Sequence, residues 1–260
     1  STLFPYTTLF RSPYRREAET SLREVIGSLR AQFGPDNPGA ANAESQLGVA
    51  IYVQGRVADA EVVFGSVLAR DRRLTPDHPD VATSLTWHGA ALRDLGRLDE
   101  AEREHREAVE RRVTAFGPEH PSVGSAKHQL GLTRAARGDH AEADALLAAA
   151  IAVQKAALGE RHPRVANATS ARAASLASMG RTADAQPLFE AALDVQRELL
   201  PGGHPDLTDT LSGLGSLHCG RGDREAGRLL LDEARRELEA HSPADRRRLS
   251  KLEQAQALCR

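Results

Sequence analysis

Small and apolar residues recur at fixed places along the chain, about every 42 residues. One position always holds glycine or alanine: Gly48, Gly89, Gly131, Ala173 and Gly215. Twelve residues further on stands a second small residue: Ala60, Ala101, Ala143, Ala185 and Gly227. Seven residues later an apolar helix face begins: Val67, Ala108, Ala150, Ala192 and Ala234. Glycine inside a helix costs about 1 kcal/mol relative to alanine, so its recurrence indicates helices that approach each other closely. The pattern predicts a stack of helix pairs.

Residues typical of turns recur with the same period. A His-Pro pair begins at four positions, each 42 residues after the last: His78, His120, His162 and His204. Asn37 precedes a proline in the same way. Proline suits the first position of a helix, and the residue before it adopts the extended geometry of an N-cap. In the unit that starts with Pro121, we expect a first helix over Ser122–Arg137, ended by Gly138. A second helix over His140–Leu158, capped by Asp139, should follow.

The fold class predicted is all-α, with about twelve helices. Five helix pairs are preceded by a lone second helix, and a polar helix near Pro243–Leu258 closes the array as a cap. The predicted segments are 1–12, an extension; 13–38, a truncated repeat; 39–78, 79–120, 121–162, 163–204 and 205–240, the five units; and 241–260, the capping helix.

The first twelve residues, STLFPYTTLFRS, differ in composition from the rest of the chain. They look like a translated sequencing adapter fused to a gene fragment, in which case the natural protein continues upstream. A genuine disordered terminus is the alternative.

Composition excludes some partners. The net charge of −2 gives no reason to expect binding to nucleic acid or to an anionic membrane. The longest apolar run, Ala145–Val153, is too short to span a bilayer. Cys219 and Cys259 stand alone, in neither a disulfide framework nor a zinc spacing, so we expect a reducing, cytoplasmic location. Arginine greatly outnumbers lysine, which is typical of GC-rich coding sequences and favours a bacterial source.

No catalytic motif is present in the sequence. It lacks a phosphate-binding glycine loop, His-Glu-x-x-His, Gly-x-Ser-x-Gly and Cys-x-x-Cys. The histidines of the four His-Pro pairs should lie in turns a repeat apart, too far from each other to share a metal. His218 and Cys219 have no further ligands nearby. We therefore predict no enzymatic activity, no cofactor and no metal site.

The recurring residues resemble a known family. Sixteen residues after each first-helix glycine or alanine stands a large residue in four of the five units: Phe64, Leu147, Phe189 and Leu231. Together with the small positions, this pattern is similar to the tetratricopeptide repeat, and the 42-residue period is similar to its kinesin-light-chain type. The resemblance runs from Tyr14 to about Ala240. It implies a right-handed α-solenoid whose first helices line a concave groove that binds peptides. His105 and Gly227 depart from the pattern, so their units should pack more loosely.

The resemblance also implies which side chains face the groove. The candidate partner-binding residues are Asn42, Gln46, Tyr52, Thr83, Trp87, Arg93, His128, Gln129 and Asn167. The paired asparagines typical of kinesin-light-chain repeats are replaced here by Thr86-Trp87 or Ser170-Ala171. Trp87 is the sole tryptophan and the best candidate for a binding hot spot. Alternatively, it packs against the neighbouring unit.

Two functions are compatible with this sequence. The first is a non-catalytic module that binds a peptide or a partner helix in the groove. The alternative is a sensor or scaffold tail of a larger bacterial signalling protein, with a Ser/Thr kinase or regulatory NTPase domain upstream.

Overall fold

The described part of the chain is entirely helical. The computed structural model describes residues 14–241 and 245–259; the predicted extension at residues 1–12 lies outside this part. Within it there are twelve helices and no strand: α1 (Tyr14–Phe33), α2 (Pro38–Val53), α3 (Val57–Leu74), α4 (Asp80–Asp94), α5 (Leu98–Phe116), α6 (Pro121–Arg137), α7 (His140–Leu158), α8 (Pro163–Ser178), α9 (Thr182–Leu199), α10 (Pro205–Gly220), α11 (Arg224–His241) and α12 (Arg246–Ala257). The all-α repeat fold predicted from the sequence is confirmed. None of these helices combines the length and apolarity that crossing a bilayer requires.

The chain divides into two compact units, with the boundary between Ala115 and Phe116. In the first unit, α1, α2 and α3 each pack on the next helix in sequence, and α4 joins α5 through a pair between His88 and Glu104. In the second unit, α6 to α12 do the same. The first helices of neighbouring pairs also touch each other: α2 with α4, α6 with α8, α8 with α10, and α10 with α12.

Each first helix begins with the same hydrogen bond from the backbone to a side chain. At four of these N-termini the acceptor is the Nδ1 atom of the histidine before proline, at 3.1–3.2 Å from the donor nitrogen: His78, His120, His162 and His204. Asn37 does the same with its side-chain oxygen, which accepts from the backbone of Gly39 and Ala40 at 2.9 and 3.1 Å. These bonds satisfy backbone donors that the helix leaves without a partner. His120, His162 and His204 are therefore helix N-caps, and His78 makes the same bond from one position further out, since Pro79 is the N-cap of α4.

Gly138 ends α6 as predicted, in the left-handed conformation with φ of 90°. The helix bounds around it match the prediction closely, since α6 starts one residue earlier, at Pro121, and α7 covers His140–Leu158. One detail was wrong. Asp139 occupies the N-cap position of α7, but its side chain makes no capping bond. Its carboxylate instead contacts Arg134 at 3.1 Å.

The small residues of the first helices lie against the large residues that follow sixteen positions later. A Cβ atom added at Gly131 would stand 2.8 Å from Cγ of Leu147. The equivalent atom at Gly215 would stand 2.8 Å from Leu231, and that at Gly48 would meet the ring of Phe64. These distances are shorter than packed carbon atoms tolerate, so glycine is required for the helices to approach this closely. Ala173, the fourth residue of this set, is fully buried.

The second set of small residues is also buried, and its one departure, like that of the large residues, has a local explanation. Ala60, Ala101, Ala143 and Ala185 have no exposed surface. In the last repeat, a Cβ atom at Gly227 would collide with Sγ of Cys219. His105 is buried against Gly89, with its Nε2 atom 3.3 Å from the backbone oxygen of Thr86. The imidazole thus fills the space that a large apolar residue fills in the other repeats.

In three repeats an arginine follows the glycine of the turn between the two helices, and each of these arginines contacts an acidic side chain on the preceding second helix. These ion pairs join residues 37, 36 and 37 positions apart: Arg56 with Glu19 at 3.0 Å, Arg97 with Glu61 at 2.7 Å, and Arg181 with Asp144 at 3.9 Å. Each of the three pairs connects one repeat to the preceding one. The arginines are largely exposed, so solvent screens these pairs and they serve mainly to fix the stacking register.

The cysteines overturn one expectation. Cys219 and Cys259 are joined in a disulfide bond, with their Cα atoms 5.0 Å apart. Their separation of 40 residues is nearly one repeat, so stacking places the end of α10 beside the residue that follows α12. The expectation that the two cysteines stand alone was therefore wrong, and the argument from them for a reducing environment no longer holds.

Candidate functional site

In the first unit, three predicted groove residues come together on neighbouring first helices. The ring of Trp87 on α4 stacks on Phe64 at 5.8 Å between centroids, and the ring of Tyr52 on α2 meets its edge at 6.3 Å. The phenol of Tyr52 donates a hydrogen bond of 2.5 Å to the carboxylate of Asp94. Asp94 also accepts from Arg93 at 3.3 Å. We name Tyr52, Trp87, Arg93 and Asp94 the aromatic patch.

The structure shows one of the two roles that the sequence left open for Trp87, and the binding role stays a prediction. Stacking on Phe64 ties it to the preceding helix pair, which supports the packing role. Its side chain is nevertheless only half-buried, so part of the indole faces outward. Phe64 is itself buried against Gly48, which gives the exposed indole a rigid support.

Polar side chains extend the aromatic patch along the same helices. Asn42 is exposed and accepts a hydrogen bond of 3.1 Å from the side-chain amide of Gln46. Both lie on α2, one and a half to three turns before Tyr52. Thr83 is exposed one turn before Trp87 on α4. The first unit thus presents amide, hydroxyl, aromatic and charged groups on two adjacent helices.

In the second compact unit, one predicted groove residue is buried. Gln129 and Asn167 are half-buried on α6 and α8, but His128 is buried. One repeat later, the equivalent position is Ser170, which is also buried and forms a hydrogen bond of 2.7 Å with Thr210 on α10. This position therefore lies in the seam between adjacent first helices. His128 is not available for a partner as the structure stands.

His88 follows Trp87 in the sequence and was not among the predicted site residues. Nδ1 of His88 is 2.8 Å from Glu104, and its Nε2 is 3.4 Å from Glu61 on the preceding pair. Burial alone would lower the pKa of His88, but the two carboxylates outweigh it and hold the pKa above its ordinary value. The second glutamate comes from another repeat, so local sequence patterns could not reveal this cluster.

A polar cavity of about 390 Å³ lies at the ends of α1 and α3. Arg30 and Arg70 line it, and both contact Glu44, at 2.5 and 2.7 Å. Arg73 contacts Asp36 at 2.7 Å. Because each guanidinium already faces a carboxylate, the cavity has no strong preference for an anion. Among the described residues, no three His, Cys, Asp or Glu side chains are arranged to hold a metal ion.

These features define a class of protein built from stacked antiparallel helix pairs. The sequence profile described as tetratricopeptide repeat matches residues 80–156, 122–198 and 164–240. These overlapping matches cover more than half of the chain. The chain belongs to the tetratricopeptide repeat family.

Solved structures share this fold. A putative kinesin light chain from Podosopora anserina with nearly identical TPR-like repeats is 23% identical, covers 78% of this chain and 97% of its own, and has a TM-score of 0.58. BtubC (BKLC) from P. vanneervenii is 21% identical, with 88% and 91% covered and a TM-score of 0.64. NprR in complex with its cognate peptide NprX is 13% identical, with 98% and 73% covered and a TM-score of 0.71. No curated protein matches the chain.

Proposed function

We propose that this chain is a non-catalytic interaction module that binds an extended peptide or a helix of a partner protein along its first helices. One observation carries this proposal. The aromatic patch brings Tyr52, Trp87 and Arg93 together from two neighbouring repeats and leaves the indole of Trp87 partly exposed. Tryptophan, tyrosine and arginine are the residues most enriched at binding hot spots.

The chemistry of the patch favours a peptide with an apolar anchor and nearby polar groups. The indole face can pack against an apolar or aromatic side chain, and Asn42 and Gln46 can exchange hydrogen bonds with a peptide backbone. Asp94 and Arg93 already contact each other, so a charged partner must compete with this pair. Peptide binding by NprR, a structure with the same fold, supports the proposal.

The experiment is a selection followed by a titration. Short random peptides displayed on phage are selected on the full chain, and the binding of a selected peptide is measured by the fluorescence anisotropy of a dye attached to that peptide. We expect Trp87→Ala to weaken binding by at least about tenfold, as hot-spot truncations do. Trp87→Phe should have a smaller effect, because a phenyl ring can still stack on Phe64.

The matched control is Val62→Ala. Val62 is an exposed apolar residue on the second helix α3, away from the patch, and its truncation should leave peptide affinity unchanged. If no selected peptide depends on Trp87 or Arg93 in the folded protein, the proposed site is wrong.

The wider context stays a prediction. A kinase or NTPase domain encoded upstream in the same reading frame would support the alternative of a scaffold or sensor tail. The cytoplasmic location remains a prediction too, and it no longer has the cysteine argument behind it.

A further inference from the structure

The last helix, α12, is attached to the array at both of its ends. Near its start, Arg248 contacts Asp209 on α10 at 3.1 Å and Asp245 at 2.7 Å. Just beyond its end, Cys259 is bonded to Cys219 at the end of α10. Between these points Leu252 is buried in the apolar cluster of the last repeats. α12 thus stands where the first helix of another pair would stand.

The residues around the cysteine pair are fitted to it. Cys219 and Cys259 are both buried, with 5% and 2% of their surface exposed. Gly227 stands where the four preceding units have alanine, and a Cβ atom there would collide with Sγ of Cys219. The loss of a methyl group at this one repeat provides the space in which the sulfur lies. These are also the only two cysteines in the chain.

We propose that the Cys219–Cys259 pair is a redox-controlled clasp that determines whether α12 stays docked on α10 and α11. When the bond is present, α12 is a fixed part of the array. When the bond is reduced, α12 is held by the ion pair of Arg248, by the hydrogen bonds of Gln256 to α11 and by a short apolar contact, and it opens reversibly. This proposal does not depend on peptide binding by the aromatic patch.

The redox step is an exchange with a small-molecule disulfide. The thiolate of one cysteine attacks the small disulfide, forms a mixed disulfide and releases one small thiol. The second cysteine then attacks the mixed disulfide, which forms the Cys219–Cys259 bond and releases the second thiol. The two protein thiols lose two electrons and two protons, and the small disulfide takes them up. Because both sulfurs are buried, a reductant reaches the bond only during rare, transient opening of the segment around Cys259.

The test follows thiol state and helix opening together on the full chain. The protein is equilibrated with oxidised or reduced glutathione, quenched and alkylated, and its mass shows either no modified thiol or two. Hydrogen exchange of the α12 amides is measured in parallel. We expect no alkylation in the oxidised sample. After reduction, α12 exchange should be at least about tenfold faster while exchange of α6 and α7 is unchanged.

The variant Cys219→Ser/Cys259→Ser provides the matched control. Its α12 exchange should equal that of the reduced wild type and should not respond to glutathione. Reduced wild-type protein gives the same comparison if the variant folds poorly. Free thiols in the oxidised sample, a disulfide between two chains on a non-reducing gel, or equal α12 exchange in both redox states would each overturn the proposal.

Discussion

The close contact between α6 and α7 at Gly131 allows a sharp test of the packing. Replacing Gly131 with alanine adds one methyl group, whose carbon would stand 2.8 Å from Cγ and 3.1 Å from Cδ2 of Leu147. Leu147 is fully buried, so it cannot turn aside into solvent. The helix pair must therefore separate or Leu147 must leave its preferred rotamer.

The magnitude follows from two opposing terms. Overpacking a close-packed interior costs about 1–3 kcal/mol, and replacing glycine with alanine inside a helix gains about 1 kcal/mol. Gly27 isolates the second term, because it lies in α1 and a Cβ atom there would have no neighbour within 4 Å. We expect Gly27→Ala to stabilise the protein and Gly131→Ala to be neutral or destabilising. The same substitution should thus differ by about 1–3 kcal/mol between the two sites.

The assay is urea unfolding followed by circular dichroism, with hydrogen exchange of α6 and α7 as a local measure. Leu147→Ala alone should cost about 2–5 kcal/mol. In the double variant the new methyl group enters the space that Leu147 leaves, so the two costs should fall short of additivity by about 0.5–3 kcal/mol. If Gly131→Ala stabilises the protein as much as Gly27→Ala does, the close approach at Gly131 does not exist.

Three further predictions concern the disulfide, a helix cap and the aromatic patch. Cys259→Ser opens a 40-residue loop and should lower stability by up to about 4 kcal/mol in urea unfolding under oxidising conditions; reducing agent should abolish the difference from wild type. Burial lowers the pKa of His204 from 6.5 to about 4, so the unfolded chain takes up the proton first as the pH falls. The contribution of the neutral His204 to the free energy of unfolding is therefore complete above about pH 6.5 and is lost between about pH 6.5 and about pH 4. It amounts to at most roughly 3 kcal/mol. His204→Asn keeps a capping acceptor and should remove this acid-sensitive part, which unfolding at pH 7.5 and pH 5 measures; an unchanged pH dependence would contradict the assignment. Tyr52→Phe removes the hydrogen bond to Asp94 and should cost about 1.5–3 kcal/mol, seen in unfolding monitored by tryptophan fluorescence; an unaltered midpoint would show that the bond contributes nothing.

Helix bounds and contacts inside a single helix pair could be predicted well from the sequence. Pro121 and Gly138 set the bounds of α6 through the backbone geometry of single residues, so α6 was predicted to within one residue. The contact of Gly131 with Leu147 follows from the same local logic, since sixteen residues make one helical hairpin. His105 differs from the large apolar residue of the other repeats, but it lies against the first-helix glycine, Gly89, as three of those residues do.

Contacts between neighbouring repeats were predicted poorly. His128 was assigned to the groove because its position was taken from a family pattern, yet the packing of α6 against α8 buries it. The Cys219–Cys259 bond was missed because the cysteines were judged by spacings typical of disulfide and zinc motifs. In a stacked array, a separation close to the repeat length is itself a sign of proximity, and it applies equally to Tyr52 and Asp94, which are 42 residues apart.

The ion pairs of the Gly-Arg turns bear on how such a chain can change in length. Each arginine meets an acid 36 or 37 positions earlier, so every bond concerns two consecutive units and none reaches further. Duplicating residues 39–78, which carry both Arg56 and Glu61, would give each of these two side chains a partner in the new copy. Inserting half a unit would leave arginines opposite the wrong side chains. At this repeat the array can therefore lengthen by one entire module and keep its ion pairs, whereas a partial module would break them.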